Sequence, residues 1–189
     1  MSEIVDANLL VSSSSRAPGR SRREIVARLR ALGDPAPVVT PTERKGIMAV
    51  RTGLDPRAVI RELRVLHQSA PGVFRCTFKW APVDLWTAAD LEALRGAVTQ
   101  LRDRIAPHER WRLTLERRTD AGPSLAAIIE ALAALVDRKV DLGHPDKILR
   151  VELFAGRAAL AVVTPDETFS PSMREKGQEE TSHGGSTSS

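Results

Sequence analysis

The sequence predicts an α+β fold of two small units, over residues 1–82 and 83–170, with a tail over 171–189. Three observations carry this reading. Runs that alternate apolar and polar residues, as strands with one buried face do, are interleaved with runs of apolar residues at helical spacing. Gly and Pro punctuate the joints between runs. The tail is rich in Ser, Gly, Glu and Thr and has no apolar period, the composition of a disordered segment.

In the first unit, Asn8 to Ser12 reads as a short apolar strand. Ser21 and Glu24 have the spacing of a capping box, and Ile25, Val26, Leu29 and Leu32 form a helical stripe that ends at Gly33. Pro35, Pro37 and Pro41 mark an extended connection. Gly46 to Arg51 is strand-like, and one more strand is hidden within Val38 to Arg51. Asp55 and Pro56 supply an N-cap and a first-position proline for a helix bearing Val59, Leu63 and Leu66. Phe74, Cys76, Phe78 and Trp80 then alternate with Arg75, Thr77 and Lys79, which predicts a strand with Cys76 buried. This element order predicts a ferredoxin-like N-terminal domain.

In the second unit, Thr87 with Asp90 three residues on predicts the cap of a helix carrying Leu91, Leu94, Val98, Leu101 and Ile105, ended by Pro107. Trp86, expected in the loop ahead of it, is the best exposed-aromatic candidate. Trp111, Leu113 and Leu115 alternate with Arg112, Thr114 and Glu116 as a strand with one buried face. The break at Asp120 to Pro123 is followed by a stripe of Leu125, Ile128, Ile129, Leu132, Leu135 and Val136. That is a helix of about four turns. Gly143 and Pro145 stop it. Leu149, Val151 and Leu153, then Ala158, Leu160 and Val162, give two strands joined by a tight turn at Ala155-Gly156.

Composition narrows the function. No run of apolar residues is long enough to span a membrane, and the N-terminus lacks the basic start and apolar stretch of a secretory signal. A cytoplasmic location is expected. The single cysteine, Cys76, rules out an internal disulfide or a cysteine-built zinc cluster. His67, His108, His144 and His183 lie in different elements, so no metal site is expected. There is no phosphate-loop, dinucleotide or zinc-protease motif. Asp141 and Asp146 flank Gly143-Pro145 and read as turn and cap residues. Neither a catalytic residue nor a cofactor is expected, and the pattern is that of a binding module.

The residues from Arg138 to Ser170 also carry a family resemblance. Lys139 to Leu142, the turn His144-Pro145-Asp146, the pair Val151-Glu152 and the pair Val162-Val163 resemble the C-terminal half of a THUMP domain. They are most like the archaeal and eukaryotic THUMP proteins that assist tRNA cytidine acetylation. His144 stands where that family usually has asparagine. The resemblance implies an N-terminal ferredoxin-like domain followed by an α/β THUMP domain. It implies tRNA as partner, and a non-catalytic adaptor that presents tRNA to a separate enzyme, an acetyltransferase or another modification enzyme. It gives no reason to expect DNA specificity.

The net charge is +4 and the basic side is mostly arginine, whose planar fork suits phosphate. One cluster is Arg16, Arg20, Arg22, Arg23, Arg28 and Arg30, against the single acid Glu24. A second runs from Arg102 to Arg118. The expected RNA contacts are Arg112, on the polar face of its strand, Arg117 and Arg118 at its end, Lys139 at the helix C-terminus, and Lys147. Arg75 and Lys79, on one face of the preceding unit's last strand, extend the track. Ser124, in the Gly122-Pro123-Ser124 turn, opens a helix N-terminus whose free N–H groups suit a terminal phosphate.

Overall fold

The computed structural model describes residues 6–119 and 124–171; Gly122, Pro123 and the tail from 172 onward lie outside the described residues. The first half runs β1 (Leu9–Ser13), α1 (Pro18–Ala31), β2 (Val38–Pro41), β3 (Ile47–Arg51), α2 (Pro56–Ser69) and β4 (Thr77–Pro82). Its sheet has the order β2-β3-β1-β4, and each neighbouring pair is antiparallel. Each helix therefore crosses over one intervening strand. The strand hidden ahead of Arg51 is present as β2, hairpinned to β3.

The second half runs β5 (Leu85–Ala88), α3 (Leu91–Leu101), β6 (Trp111–Arg117), α4 (Leu125–Ala133), β7 (Lys147–Leu153) and β8 (Arg157–Val163). Its sheet order is β5-β8-β7-β6, with β6 and β7 parallel across the α4 crossover and the other pairs antiparallel. Gly156, at φ +75°, makes the turn between β7 and β8, a conformation that a side chain with Cβ would strain.

Both sheets carry helices on one face only. Leu9, Val11 and Trp80 pack with Ile25, Leu29, Ile60 and Leu63 of α1 and α2. Leu149, Val151 and Leu160 pack with Leu94, Val98, Ile128 and Leu132 of α3 and α4. The remaining faces meet each other through Ala7, Leu10, Ile47, Ala49, Val83, Phe154 and Ala159. A strand covered on both faces reads as a continuous apolar run, which explains Leu9-Leu10-Val11.

Polar fastenings hold this pairing. Asp84, between β4 and β5, takes a bidentate contact from Arg57 of α2 at 2.9 and 3.1 Å and a third from Arg104 at 3.0 Å. It also accepts the Val162 N–H at 2.9 Å. Glu43, in the β2–β3 loop, accepts the Ala155 N–H at 3.0 Å and pairs with Arg157 at 3.5 Å. After β8 the chain returns to the first unit. Phe169 exchanges backbone hydrogen bonds with Trp80 at 2.7 and 2.9 Å, and its ring is buried against Phe74 and His67.

Several local readings are corrected. The first helix starts at Pro18, whose fixed φ suits the first position, so Ser21 lies inside it and donates back to the Ala17 carbonyl at 3.1 Å. Glu24 is no capping partner; its carboxylate accepts the N–H groups of Arg75, Cys76 and Thr77 at 2.9, 2.9 and 3.0 Å. Thr87 belongs to β5, opposite Ala158, and the cap of α3 is Asp90, which accepts the Ala93 N–H at 2.9 Å. α3 ends at Leu101, and a 3-10 turn over Arg102–Arg104 carries the chain on to Ile105. α4 is nine residues long, and Val136 is buried in the turns after it. The alternation in β4 is broken because its register with β1 slips between Ser12 and Ser13. That bulge leaves Phe78 45% exposed, with Cys76 half-buried ahead of the strand.

Phe169 gives a direct test of the returning segment. Phe169→Ala is expected to cost about 3–5 kcal/mol, as other buried Phe→Ala changes do. Urea denaturation should show a lower midpoint with an unchanged slope. A loss below about 1 kcal/mol would mean that the segment does not complete the core.

Candidate nucleic-acid interface

β6 is the edge strand of the second sheet. Trp111 points into the helix-side core, 1% exposed, and its indole N–H donates to the Arg138 carbonyl at 3.1 Å. The alternate residues Arg112, Thr114 and Glu116 lie on the opposite face, as expected. Arg112 donates to the Leu142 carbonyl at 3.0 Å, which fixes its guanidinium against the loop that leads to β7.

That loop is tightly built. The Trp111 N–H donates to the Lys139 carbonyl at 2.9 Å, laying Lys139 beside the start of β6. Lys139 is exposed, but it stands six residues beyond the end of α4 rather than at a helix C-terminus. Asp141 accepts the N–H groups of Gly143 and His144 at 3.0 and 2.8 Å. Asp146 accepts the Arg110 N–H at 2.8 Å. Arg110 pairs with both carboxylates, at 3.0 Å to Asp141 and 3.3 Å to Asp146. The His144 N–H chiefly holds Asp141, and the Arg110 N–H chiefly holds Asp146, below the usual carboxylate range. These aspartates thus have the turn and cap role that their spacing suggests. Lys147 opens β7 with its Nζ 3.9 Å from Glu109.

A second group forms a charged seam between the sheets. Lys79 of β4 reaches across to Glu116 of β6 at 3.2 Å. Arg118 pairs with Glu116 and, at 2.9 Å, with Glu152; Glu152 in turn holds Arg150 at 2.5 Å. Arg150 and Glu152 are 7% and 4% exposed, so the seam ends in the interior. Three cations face two carboxylates, leaving a net positive charge. Burial would push the Glu116 carboxyl up, but Lys79 and Arg118 outweigh it and hold Glu116 below the usual glutamate range.

The other expected contacts are spread more widely. Arg117 is the last residue of β6 and is half-buried. Ser124 is exposed at the start of α4, and its side chain makes no capping hydrogen bond. Arg75 is exposed, but it precedes β4 and does not share a strand face with Lys79; its Nε donates to the Gly72 carbonyl at 3.2 Å. Trp86 lies in β5, and its indole N–H donates to the Ala7 carbonyl at 2.7 Å. The exposed ring is instead Phe78, beside Lys79. The structure thus gathers Arg112, Lys139 and Lys147 with Arg110 at one end of β6, sets Lys79 and Arg118 at the seam, and leaves Arg75 and Ser124 apart. The acids that engage the basic residues, Glu116 and Glu152, had one sequence signal: Arg150 and Glu152 interrupt an otherwise apolar strand at period two. Among the described residues no cluster of three or more His, Cys, Asp or Glu could hold a metal.

No family model matches the chain and no curated protein does. Solved structures do. PH1313 from Pyrococcus horikoshii Ot3 is 17% identical and superposes on 83% of this chain and 54% of its own, with a TM-score of 0.62. TrmN from Thermus thermophilus is 15% identical, with a TM-score of 0.54 over 82% of this chain and 44% of its own. A 4-thiouridine synthetase, solved as an RNA complex with bound ATP, is 14% identical, with a TM-score of 0.51 over 87% of this chain and 42% of its own. This chain therefore spans about half, or less, of the length of the structures it matches. At these identities the shared property is the fold.

The seam makes a pH prediction. An unfolded glutamate titrates near about 4.3. Glu116 lies lower when folded, so its contribution to stability is present above that pH and is lost as pH falls through the folded value. Urea denaturation of Glu116→Gln over a pH series is expected to show a shallower acid limb than the native chain. An equally steep limb would contradict the seam's role.

Proposed function

We propose that this chain is a tRNA-binding module of the THUMP type, with a ferredoxin-like N-terminal unit, that grips RNA by its phosphate backbone. The observation that carries the reading is the loop from Lys139 to Asp146. These are the residues that resemble the THUMP segment, and they fold against β6 so as to fix Arg110 and Arg112 and to expose Lys139. The strand order β2-β3-β1-β4, with two split crossovers, supports the ferredoxin-like assignment. A neighbour solved with RNA supports the ligand class.

The chemistry is capture and positioning. Arginine forks and a lysine along an edge strand offer charge-assisted hydrogen bonds to phosphate oxygens. RNA is then recognised by shape and backbone geometry more than by base edges. In this reading the chain is non-catalytic and acts in the cytoplasm. It presents tRNA to a separate modification enzyme, and the resemblance favours one that makes N4-acetylcytidine. A protein-interaction module is the second reading, favoured by Val140 and Leu142, which are 57% and 72% exposed on the same loop.

Purified protein titrated with bulk tRNA, with duplex DNA as competitor, separates the two. Preference for tRNA is expected, with affinity falling steeply as salt rises, by about 0.7–0.9 in log–log slope per phosphate contact. Arg112→Ala with Lys139→Ala should weaken tRNA binding and flatten that slope by about 1–2 units. Salt-insensitive binding, or no preference over DNA, would overturn the proposal.

A further inference from the structure

Some arginines are held by carboxylates, while others, including exposed ones outside α1 such as Arg61 and Arg95, are not. Arg57, Arg64, Arg104, Arg110, Arg118, Arg150 and Arg157 all form ion pairs. Among the described residues, none of Arg16, Arg20, Arg22, Arg23, Arg28 and Arg30 forms one. Arg20, Arg23 and Arg30 are exposed, at i, i+3 and i+10, on the side of α1 opposite the buried Ser21, Ile25 and Leu29. The row spans about 15 Å at 1.5 Å per residue.

This arrangement works against the fold. No acid stands in the first turn of α1, and Arg20 sits there against the positive end of the helix dipole. Arg20 and Arg23 are like charges one turn apart, a repulsive spacing. Glu24, the one acid in the segment, is turned away to the N–H groups of Arg75, Cys76 and Thr77. That contact also brings the exposed Arg75 beside α1. Just before the helix, the Ser13 N–H donates to the Gly46 carbonyl at 2.7 Å, which draws the exposed Arg44-Lys45 loop towards the exposed Arg16. Arg75 therefore adjoins the α1 row and the Arg44-Lys45 loop lies near Arg16, while the neighbouring acids Glu24 and Glu43 are engaged by backbone N–H groups and by Arg157. A local rule broken without compensation inside the fold points to a ligand outside it.

We infer that the outer face of α1, with Arg20, Arg23, Arg30 and the adjoining Arg75, is a second phosphate track that receives a base-paired stem of the RNA. The inference rests on the tRNA-binding reading. A row of guanidinium groups fixed on a helix suits the regularly spaced phosphates of a paired strand better than those of a flexible single strand, and Arg75, just ahead of β4, lies between the row and Lys79 at the seam.

The test is the full chain and its Arg20→Ala/Arg23→Ala/Arg30→Ala variant, which leaves β6 intact. Each is titrated with bulk tRNA, with a fully paired RNA hairpin and with an unstructured single-stranded RNA across a salt series. For tRNA and the hairpin, the variant is expected to bind at least about tenfold more weakly, with a log–log salt slope flatter by about 2–3 units, one phosphate contact per arginine. The single strand should lose less. The thermal midpoint should be equal or higher, because repulsive charges have been removed, and an Arg→Lys version should keep most of the salt slope. Native affinity and slope in the alanine variant, while the parent binds tRNA, would overturn the track and leave the β6 reading standing. Equal loss on all three RNAs would overturn the stem assignment. A parent that binds no tRNA would overturn both.

Discussion

A sheet with helices on one face has to bury its other face against something. Here each sheet uses the other, through Leu10, Ile47 and Ala49 on one side and Phe154 and Ala159 on the other. Much else depends on that apposition. Val83 adds to the shared cluster, and next to it Asp84 anchors arginines from both halves. Where the apolar cluster gives out, polar residues face each other across the gap, and the seam from Lys79 to Arg150 satisfies them. A lone buried charge there would cost several kcal/mol, roughly 3–5 if one partner of a buried pair is removed.

The apposition also sets what the basic residues do. A basic composition does not of itself make a basic surface. Arg57 and Arg104 are consumed at Asp84 in joining the halves, Arg118 and Arg150 in pairing within the second sheet, and their carboxylate partners cancel much of their field. Among the described residues, charge without a carboxylate partner includes that on the outer face of α1, at Arg75 and at Lys139. Because β4 touches α1 at one end and β6 at the other, it connects these patches.

How much of this was legible in the sequence depended on how local the cause was. Asp55-Pro56 capped α2 as its chemistry predicts, since both residues act within one turn. Trp111, Leu113 and Leu115 faced the core because period-two patterning sets a face directly. Ser21 and Thr87 misled because a capping pattern recurs by chance, and Pro18 and Asp90 were better placed to start their helices. The slip at Ser12/Ser13 that exposes Phe78 is a property of the pairing with β1, which β4 alone does not encode. The pairing of Arg118 with Glu116 and Glu152 was hidden for a like reason: Glu152 is 34 residues away and meets Arg118 only through the parallel alignment of β6 and β7.

The central claim is that the two sheets form one cooperative body. Trp80 lies in the core of the first half and Trp111 in that of the second, so each can report on its own unit. The measurement is urea unfolding of two single-tryptophan variants, one keeping only Trp80 and the other only Trp111, followed by fluorescence. Coincident midpoints and slopes are predicted, the mark of a two-state transition. Separate midpoints would show that the halves unfold independently and would contradict the account.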